Sequence, residues 1–354
     1  MLVTGASGML GRAVAEWVSA AGHQVVVLQR GPSGLDCEEI RADLSDQEAV
    51  ARALTGVDAV IHLAAKVSIT GDLREFERIN VVGTGDLLDA AQRAGVQRFV
   101  YVSSPSVAHA GVALVGAGAA PANPKSARGA YSQTKAEAEV EVLARDAPGF
   151  ATVAIRPHLV WGPGDTQLVA RIVDRARSGR LFLINEGRAL IDTTYIDNAV
   201  SALGAALDRV EDEGVHGRAF VVSNGQPRTV AELFTRMAQA AGAPLPTRSV
   251  PFVVARAGGL VAERAWRHHP RGESAGDPPM TSFLAEQLAT AHWFDQRETR
   301  RLLDWAPGVS LEEGFNRLAS WYSDDPSRSP IVSSGPESGR DEGTGSENGQ
   351  LSSS

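Results

Sequence analysis

Two side chains in the middle of the chain have the types and spacing for acid–base chemistry. They are Tyr131 and Lys135, in the run Tyr131-Ser132-Gln133-Thr134-Lys135. On a helix, positions four apart share a face, which sets a phenol beside an ammonium. A neighbouring cation favours phenolate, lowers the phenol pKa and makes it usable as a general acid or base near neutral pH. Such a pair arises often by chance, so its context decides. Ser103-Ser104 ends an apolar, β-capable run, and Ser104 precedes Tyr131 by twenty-seven residues. That strand end belongs to the carboxyl edge of a parallel sheet, where ligands sit in such folds. A serine hydroxyl there hydrogen-bonds a substrate oxygen.

A second constellation opens the chain. Met1-Leu2-Val3 is apolar, Thr4-Gly5-Ala6-Ser7-Gly8-Met9-Leu10-Gly11 is a glycine-rich turn, and Arg12 to Ala21 has helical spacing. Strand, glycine turn and helix in that order let backbone N–H groups and a helix N-terminus meet a pyrophosphate. The spacing is GxxGxxG rather than GxGxxG. The next strand, Gln24 to Leu28, is followed by Gln29-Arg30. A carboxylate at this place binds a ribose 2′-hydroxyl, whereas an arginine accommodates a 2′-phosphate. Arg30, with no carboxylate beside it in the chain, favours NADP(H) and leaves NAD(H) possible. Asp43-Leu44 either meets the adenine amino group or simply caps the helix before Glu48.

The elements that must position these groups alternate. Short β-branched runs at Asp58–Leu63 and Arg98–Ser103 are separated by helical stretches near Asp46–Leu54 and Asp72–Ala94. This predicts a Rossmann-type, doubly wound α/β fold: a parallel sheet with helices on both faces. Residues 1–156 form the dinucleotide-binding part, to which a strand near 218–224 returns. Residues 157–322 form a smaller, mostly C-terminal α/β substrate lobe. Residues 323–354 are rich in Ser, Gly, Asp and Glu and are expected to be a disordered tail. Pro105 to Pro124 holds no Asp, Glu, Lys or Arg, and its one titratable group is His109. So long an apolar loop is expected to line a site. With Val253–Leu260 it is expected to wall an acyl-chain pocket. His158 is a candidate for the substrate carboxylate, against the plainer role of a satisfied rim residue.

Composition narrows the function further. The chain has 354 residues, 43% hydrophobic and 21% charged, with a net charge of −8. An acidic protein of this kind is a poor candidate for wrapping nucleic acid. The single cysteine, Cys37, excludes an internal disulfide framework and a multi-thiolate metal site, and no metal is expected. There is no run of about 18 uncharged apolar residues to span a membrane, and no secretory signal is visible. A cytoplasmic protein is expected. Lys66, Lys125 and Lys135 are the only lysines among 34 cationic side chains. Each is therefore a place where a compact, pKa-shiftable charge was kept. Only Met1, Leu2 and Val3 precede Thr4, short against about five or six residues for a central strand. The natural start is therefore expected a little upstream.

The glycine turn, the strand-end serine and the Tyr131/Lys135 pair together resemble the extended short-chain dehydrogenase/reductases over about residues 1–322. His62-Leu63-Ala64-Ala65, Asn80, Arg156-Pro157, Trp161-Gly162-Pro163-Gly164 and Tyr195-Ile196-Asp197-Asn198 agree with that resemblance. It implies Tyr131 as acid/base, Lys135 as its partner and ribose ligand, and Ser104 as donor to the substrate oxygen. It implies a cofactor site from Gly5, Ser7, Gly8, Met9, Leu10, Gly11, Arg30, Asp43, Leu44, Leu63, Ala64, Ala65, Tyr131, Lys135 and Pro157. Ser103 and Ser106 are close rivals of Ser104.

Sugar-nucleotide epimerases and dehydratases of this family place an arginine where Ile191 stands, and dehydratases follow a strand-end threonine with acidic residues. Both departures argue against that substrate class. Arg156 to Asp165 and Asp192 to Asn198 instead resemble the 3β-hydroxysteroid dehydrogenase-like branch, and within it the 2-alkyl-3-oxoalkanoate reductases of bacterial long-chain olefin biosynthesis. The implied activity is NADPH-dependent reduction of the 3-keto group of a long-chain 2-alkyl-3-oxoalkanoic acid. A hydroxysteroid dehydrogenase is the runner-up, a sugar-nucleotide enzyme comes third, and a non-catalytic dinucleotide sensor is disfavoured by the intact Ser/Tyr/Lys set. The implied partners are a lipid-like keto acid and a second copy of the chain, alone or within a pathway enzyme assembly.

Overall fold

The computed structural model describes residues 1–68, 71–109, 111–266, 280–325 and 328. The first part alternates as β1 (Leu2–Thr4), α1 (Met9–Ala20), β2 (Val26–Gln29), β3 (Glu38–Arg41), α2 (Gln47–Ala53), β4 (Ala59–His62), α3 (Leu73–Phe76), a π-helical stretch Glu77–Val82, α4 (Gly83–Ala94) and β5 (Arg98–Val102). Then follow β6 (Leu114–Ala117), α5 (Ala130–Ala144), β7 (Ala151–Pro157), β8 (Val160–Trp161), α6 (Val169–Arg177), β9 (Phe182–Ile184), β10 (Leu190–Ile191), β11 (Thr194–Tyr195), α7 (Ile196–Arg209) and β12 (Arg218–Val222). The last elements are β13 (Arg228–Thr229), α8 (Val230–Ala240), β14 (Arg248–Val250), α9 (Phe252–Trp266), α10 (Ser282–Ala289), β15 (His292–Phe294), α11 (Arg297–Leu303) and α12 (Leu311–Asp324).

Seven strands form one parallel sheet in the order β12-β7-β5-β4-β1-β2-β3. Successive side chains of a strand point to opposite faces, and both faces are buried here. Val3, Val27, Ile61, Val100 and Val153 pack with Val14 and Val18 of α1 and with Leu203 and Leu207 of α7. Their neighbours Leu2, Leu28, Val60, Phe99 and Ala154 pack with Val50 of α2, Leu87 of α4 and Val142 of α5. The sheet is thus doubly wound. Because all seven strands run the same way, the residues after β1, β2, β4, β5 and β7 gather at one edge.

Several elements differ from the sequence expectation. The region 72–94 is not one helix: it passes through the π-helical turn that carries Asn80. The uncharged stretch after Ser104 is not all loop. It contains the 3-10 turn Pro105–Ala108 and β6, which pairs with β15. The last helix runs to Asp324 and so takes in the first two residues of the expected tail, of which 329–354 lie outside the described residues. Among the described residues no helix is long and apolar enough to cross a membrane.

Candidate active site

The glycine turn is closed against the loop after β4. Gly5 has φ +78, and a Cβ there would lie 2.8 Å from the Ala64 nitrogen. A Cβ on Gly11 would sit 2.3 Å from the Gly5 carbonyl oxygen, so the helix enters this close only without a side chain. Gly8 differs: it is exposed, and its Cβ would meet nothing nearer than the Gly5 oxygen at 3.5 Å. Gly8 also caps α1, whose first turn has no capping side chain and no acidic residue. Unclaimed N–H donors at an open, positive helix end fit a pyrophosphate. Ser7 is exposed on this turn, while Met9 and Leu10 are half-buried at the helix start.

A buried chain of hydroxyls and one imidazole holds the turn in place. The Thr4 hydroxyl accepts from the Leu63 and Ala64 nitrogens, 3.1 Å each, and lies 2.7 Å from His62 Nδ1. His62 Nε2 is 2.9 Å from the Thr84 hydroxyl, which itself donates to the Asn80 carbonyl at 2.7 Å. Since Thr84 spends its proton on Asn80, His62 donates from Nε2 and accepts at Nδ1 from Thr4. Burial pushes His62 down to about 3, so the ring stays neutral in this role. Asn80 then ties the loop after β4 to the Tyr131 helix. Its amide nitrogen donates to Thr134 Oγ1 at 3.1 Å and to the Lys66 carbonyl at 3.2 Å, and its oxygen accepts from the Lys66 nitrogen at 2.7 Å. Thr4 and Thr84 were not singled out from sequence. Their signal was short polar residues inside otherwise apolar runs.

Ser104, at the end of the β5 segment, caps the 3-10 turn, and its hydroxyl lies 2.9 Å from that of Ser106. Both line the cavity described below, whereas Ser103 is buried behind them with its hydroxyl unpartnered. The phenol of Tyr131, in the first turn of α5, lies close enough to Ser104 for that hydroxyl to act on it. Burial pushes the phenol up to about 12, against the lowering effect of Ser104. Lys135 is 2% exposed. Its Nζ donates to the Val102 carbonyl at 2.7 Å and lies 4.0 Å from the centre of the Tyr101 ring. Burial lowers it to about 7, with Glu139 one turn further along opposing. The helix therefore does bring phenol and ammonium to one face, but the expected fall in the phenol pKa is not seen. Burial sets it, and the ammonium of Lys135, turned toward the strand carbonyl, does not act on it. Beneath Lys135, Glu139 holds Arg156 through Nε at 2.9 Å and Nη2 at 2.5 Å, and both are fully buried. Arg156 also donates to the Ala120 carbonyl at 2.7 Å, tying down the stretch after β6.

At the cofactor-selecting strand end, Arg30 is exposed beyond β2. One expectation needs correction here. A carboxylate does approach this place, supplied by the neighbouring strand. Glu39 of β3 accepts from the Gln29 amide nitrogen at 3.2 Å, the Ser33 nitrogen at 2.6 Å and the Ser33 hydroxyl at 2.5 Å. These bonds and Arg41 hold its carboxyl at about 2. Asp43 accepts from the Ser45 nitrogen at 3.1 Å and hydroxyl at 2.9 Å and pairs with Arg78 at 3.3 Å, and Leu44 is buried beside it. Leu63, Ala64 and Ala65 are half-buried after β4, and Pro157 is buried at the end of β7. All lie along the same sheet edge.

A cavity of about 350 Å³ opens beside Ser104 and Tyr131. Its wall is mostly apolar, with Leu114, Leu168, Ile172, Ile191, Leu233, Phe234, Met237 and Phe283 among the lining residues. Of the expected acyl-chain walls, the stretch after Ser104 contributes Pro105, Ser106, His109 and Leu114, but Val115 points outward, 59% exposed. The α9 expectation is overturned. Val253 and Val261 are 74% and 70% exposed, and no residue of α9 lines the cavity. Its small residues face inward instead: a Cβ on Gly259 would lie 2.5 Å from the Ser282 nitrogen. α10 therefore packs tightly on α9 and supplies the wall, through Phe283, Leu284, Gln287 and Leu288. His158 lines the cavity but its Nδ1–H is spent on the Asp192 carbonyl at 2.5 Å, and burial lowers it to about 4. Its free nitrogen is then an acceptor, unsuited to a carboxylate. Among the described residues no group of side chains is arranged to hold a metal.

Known proteins place this geometry in a lineage. The model of the NAD dependent epimerase/dehydratase family matches residues 1–223. A 2-alkyl-3-oxoalkanoate reductase of Stenotrophomonas maltophilia is 41% identical over 326 residues, covering 90% of this chain and 98% of that protein. A 3-beta-hydroxysteroid dehydrogenase of Mycolicibacterium neoaurum is 28% identical over 92% of this chain and 91% of its own length. A short-chain dehydrogenase/reductase superfamily protein from Agrobacterium tumefaciens, solved with bound NAD, superposes with a TM-score of 0.70 at 22% identity, over 92% of this chain and 98% of that one. This chain belongs to the NAD dependent epimerase/dehydratase family and is an NAD(P)-dependent oxidoreductase.

Proposed function

We propose that the chain reduces the 3-keto group of long-chain 2-alkyl-3-oxoalkanoic acids with NADPH. One observation carries this reading: Ser104 and Tyr131 both line an apolar cavity of about 350 Å³ with Ile191 in its wall. An acyl chain needs such walls, and a sugar nucleotide needs polar ones. The relative from Stenotrophomonas maltophilia supports it. The nicotinamide cofactor, when bound, supplies the hydride. Ser104 and Tyr131 donate hydrogen bonds to the keto oxygen and stabilise negative charge as it develops there. A phenol near 12 keeps its proton at neutral pH, so Tyr131 is poised as the acid, in keeping with the reductive direction. Lys135 holds the ribose, and the open turn at Gly8 takes the pyrophosphate. NADPH is assigned because Arg30 is exposed while the charge of Glu39 is already claimed by Ser33 and Arg41. Residues 1–156 with β12 serve the cofactor, and 157–322 mainly the substrate. A homodimer through α5 and the α3–α4 region accords with exposed Val140 and Val82.

The test is kcat/KM with NADPH across a homologous series of 2-alkyl-3-keto acids, beside a hydroxysteroid panel. Each buried methylene adds up to about 0.8 kcal/mol, so efficiency should climb a few-fold per carbon until the cavity is filled. A flat response with faster steroid turnover would reject the proposal.

A further inference from the structure

Most polar groups around the cavity already have partners. Ser104 bonds with Ser106, His158 uses Nδ1 on Asp192, and His292 Nε2 lies 3.3 Å from the Thr290 hydroxyl. Two lining groups do not: His109 Nδ1 and Gln287 Nε2 are both buried with no hydrogen-bond partner among the described residues. His109 is only 4% exposed. A buried polar atom without a partner is destabilising. Both residues line the cavity, so a turn of the ring or of the amide presents these atoms to a ligand there.

The chemistry of that ligand follows from the neighbours. A glutamine amide nitrogen can only donate, and a neutral imidazole donates from Nδ1 in one of its two tautomers. Arg128, beside them in the wall, pairs with Glu286, and Glu286 also meets Arg256 at 3.4 Å. At the His109 ring the Arg128 guanidinium acts more strongly than the Glu286 carboxylate, so this corner of the cavity is positive. Donors without acceptors in a positive corner suit an anion that accepts several hydrogen bonds. Its place in the fold narrows it further. Ser104 caps the 3-10 turn Pro105–Ala108 and His109 closes it, so one short element sends both side chains to the same cavity.

We propose that His109 Nδ1 and Gln287 Nε2, flanked by Arg128, bind the carboxylate of the substrate while Ser104 and Tyr131 hold its 3-keto oxygen. This rests on the keto-acid reading above and assigns the acid group, which that reading left without partners. The site then takes 3-oxo carboxylates over ketones and esters of equal chain length. Two donors also fix which end of the chain lies at the hydroxyl pair.

The experiment compares two substrates in the full-length enzyme with NADPH: a 2-alkyl-3-keto acid and the long-chain ketone that lacks its carboxylate. Wild type should favour the acid. His109→Leu and Gln287→Leu should each lower the acid-to-ketone ratio of kcat/KM about tenfold or more, mainly through KM of the acid, the scale of a hydrogen bond to a charged group. His109→Asn keeps a donor near the Nδ1 position and should recover most of the ratio. Because the Leu variants remove an unpartnered polar atom, their melting temperatures should equal or exceed wild type. Lower melting points with an unchanged ratio would mean a structural role and overturn the inference. A measurement on unmutated enzyme guards against variants that fail to fold. With NADP+ present, the 2-alkyl-3-hydroxy acid should bind at least tenfold tighter than its methyl ester, and equal affinity overturns the inference. A wild type that reduces no keto acid but oxidises a hydroxysteroid defeats the proposed function itself. A wild type that reduces keto acids with an acid-to-ketone ratio the Leu variants leave intact defeats the carboxylate site alone.

Discussion

Replacing Lys135 by methionine should make the cofactor-free protein more stable while abolishing its turnover. The ammonium is 2% exposed and is compensated by one carbonyl at 2.7 Å, an aromatic face at 4.0 Å and the Glu139 carboxylate one turn along, which Arg156 already claims. Burial holds its pKa near 7, against 10.5 for the free side chain. The folded pKa lies below the unfolded one. Between about 7 and 10.5 the unfolded chain therefore carries a proton that the folded chain lacks, and this group makes wild-type stability rise with pH across that window. Below pH 7 both states are charged, and the full cost of burying the cation remains. Methionine fills a similar volume without a charge, so Lys135→Met lacks this dependence. The variant's advantage should be largest below pH 7 and shrink as pH rises, approaching tenfold in equilibrium constant per pH unit, roughly 2 kcal/mol between pH 7 and 9. Denaturant unfolding of both proteins at pH 6, 7, 8 and 9, read as the difference between them, cancels every other titration. A difference that stays constant from pH 7 to 9 would show that Lys135 is not a desolvated cation in the folded chain. Turnover with NADPH at each pH supplies the functional half, and an active Met variant would remove Lys135 from the site.

Tyr131→Phe should keep cofactor affinity, measured by fluorescence titration, and lose roughly 10²-fold or more in kcat, the scale of a positioned acid. Wild-type kcat for reduction should persist through neutral pH and fall only as the medium approaches the phenol near 12, since protonated Tyr131 is the active form. Arg30→Glu should raise the Kd for NADPH about tenfold or more and leave that for NADH nearly unchanged; a wild type that already prefers NADH would contradict the assignment of Arg30. Arg156→Met strands the Glu139 carboxylate in the core and should cost about 3–5 kcal/mol in urea unfolding, with Glu139→Gln in the same chain recovering much of it.

Local periodicity made much of this site legible in the sequence. Three glycines at three-residue spacing between a strand and a helix suffice to place an open helix end, because the geometry is confined to seven residues. Tyr131 and Lys135 share a helix face for the same reason. Alternation of apolar strands and helices likewise determines a sheet buried on both sides. What tertiary structure decided is where side chains end up when partners come from distant parts of the chain. Lys135 turns to the Val102 carbonyl and the Tyr101 ring, so desolvation and not the cation sets the Tyr131 pKa. Glu39 reaches Gln29 only because β2 and β3 lie side by side. The cavity wall turns on the same point. α9 is apolar on nearly every side, so its sequence could not say which face would be buried. Close approach of α10 selected the small residues Ala255 and Gly259 and left Val253 and Val261 in solvent. Pairing of β6 with β15 brings Leu114 to the cavity and leaves Val115 outside, since neighbours on a strand face opposite ways.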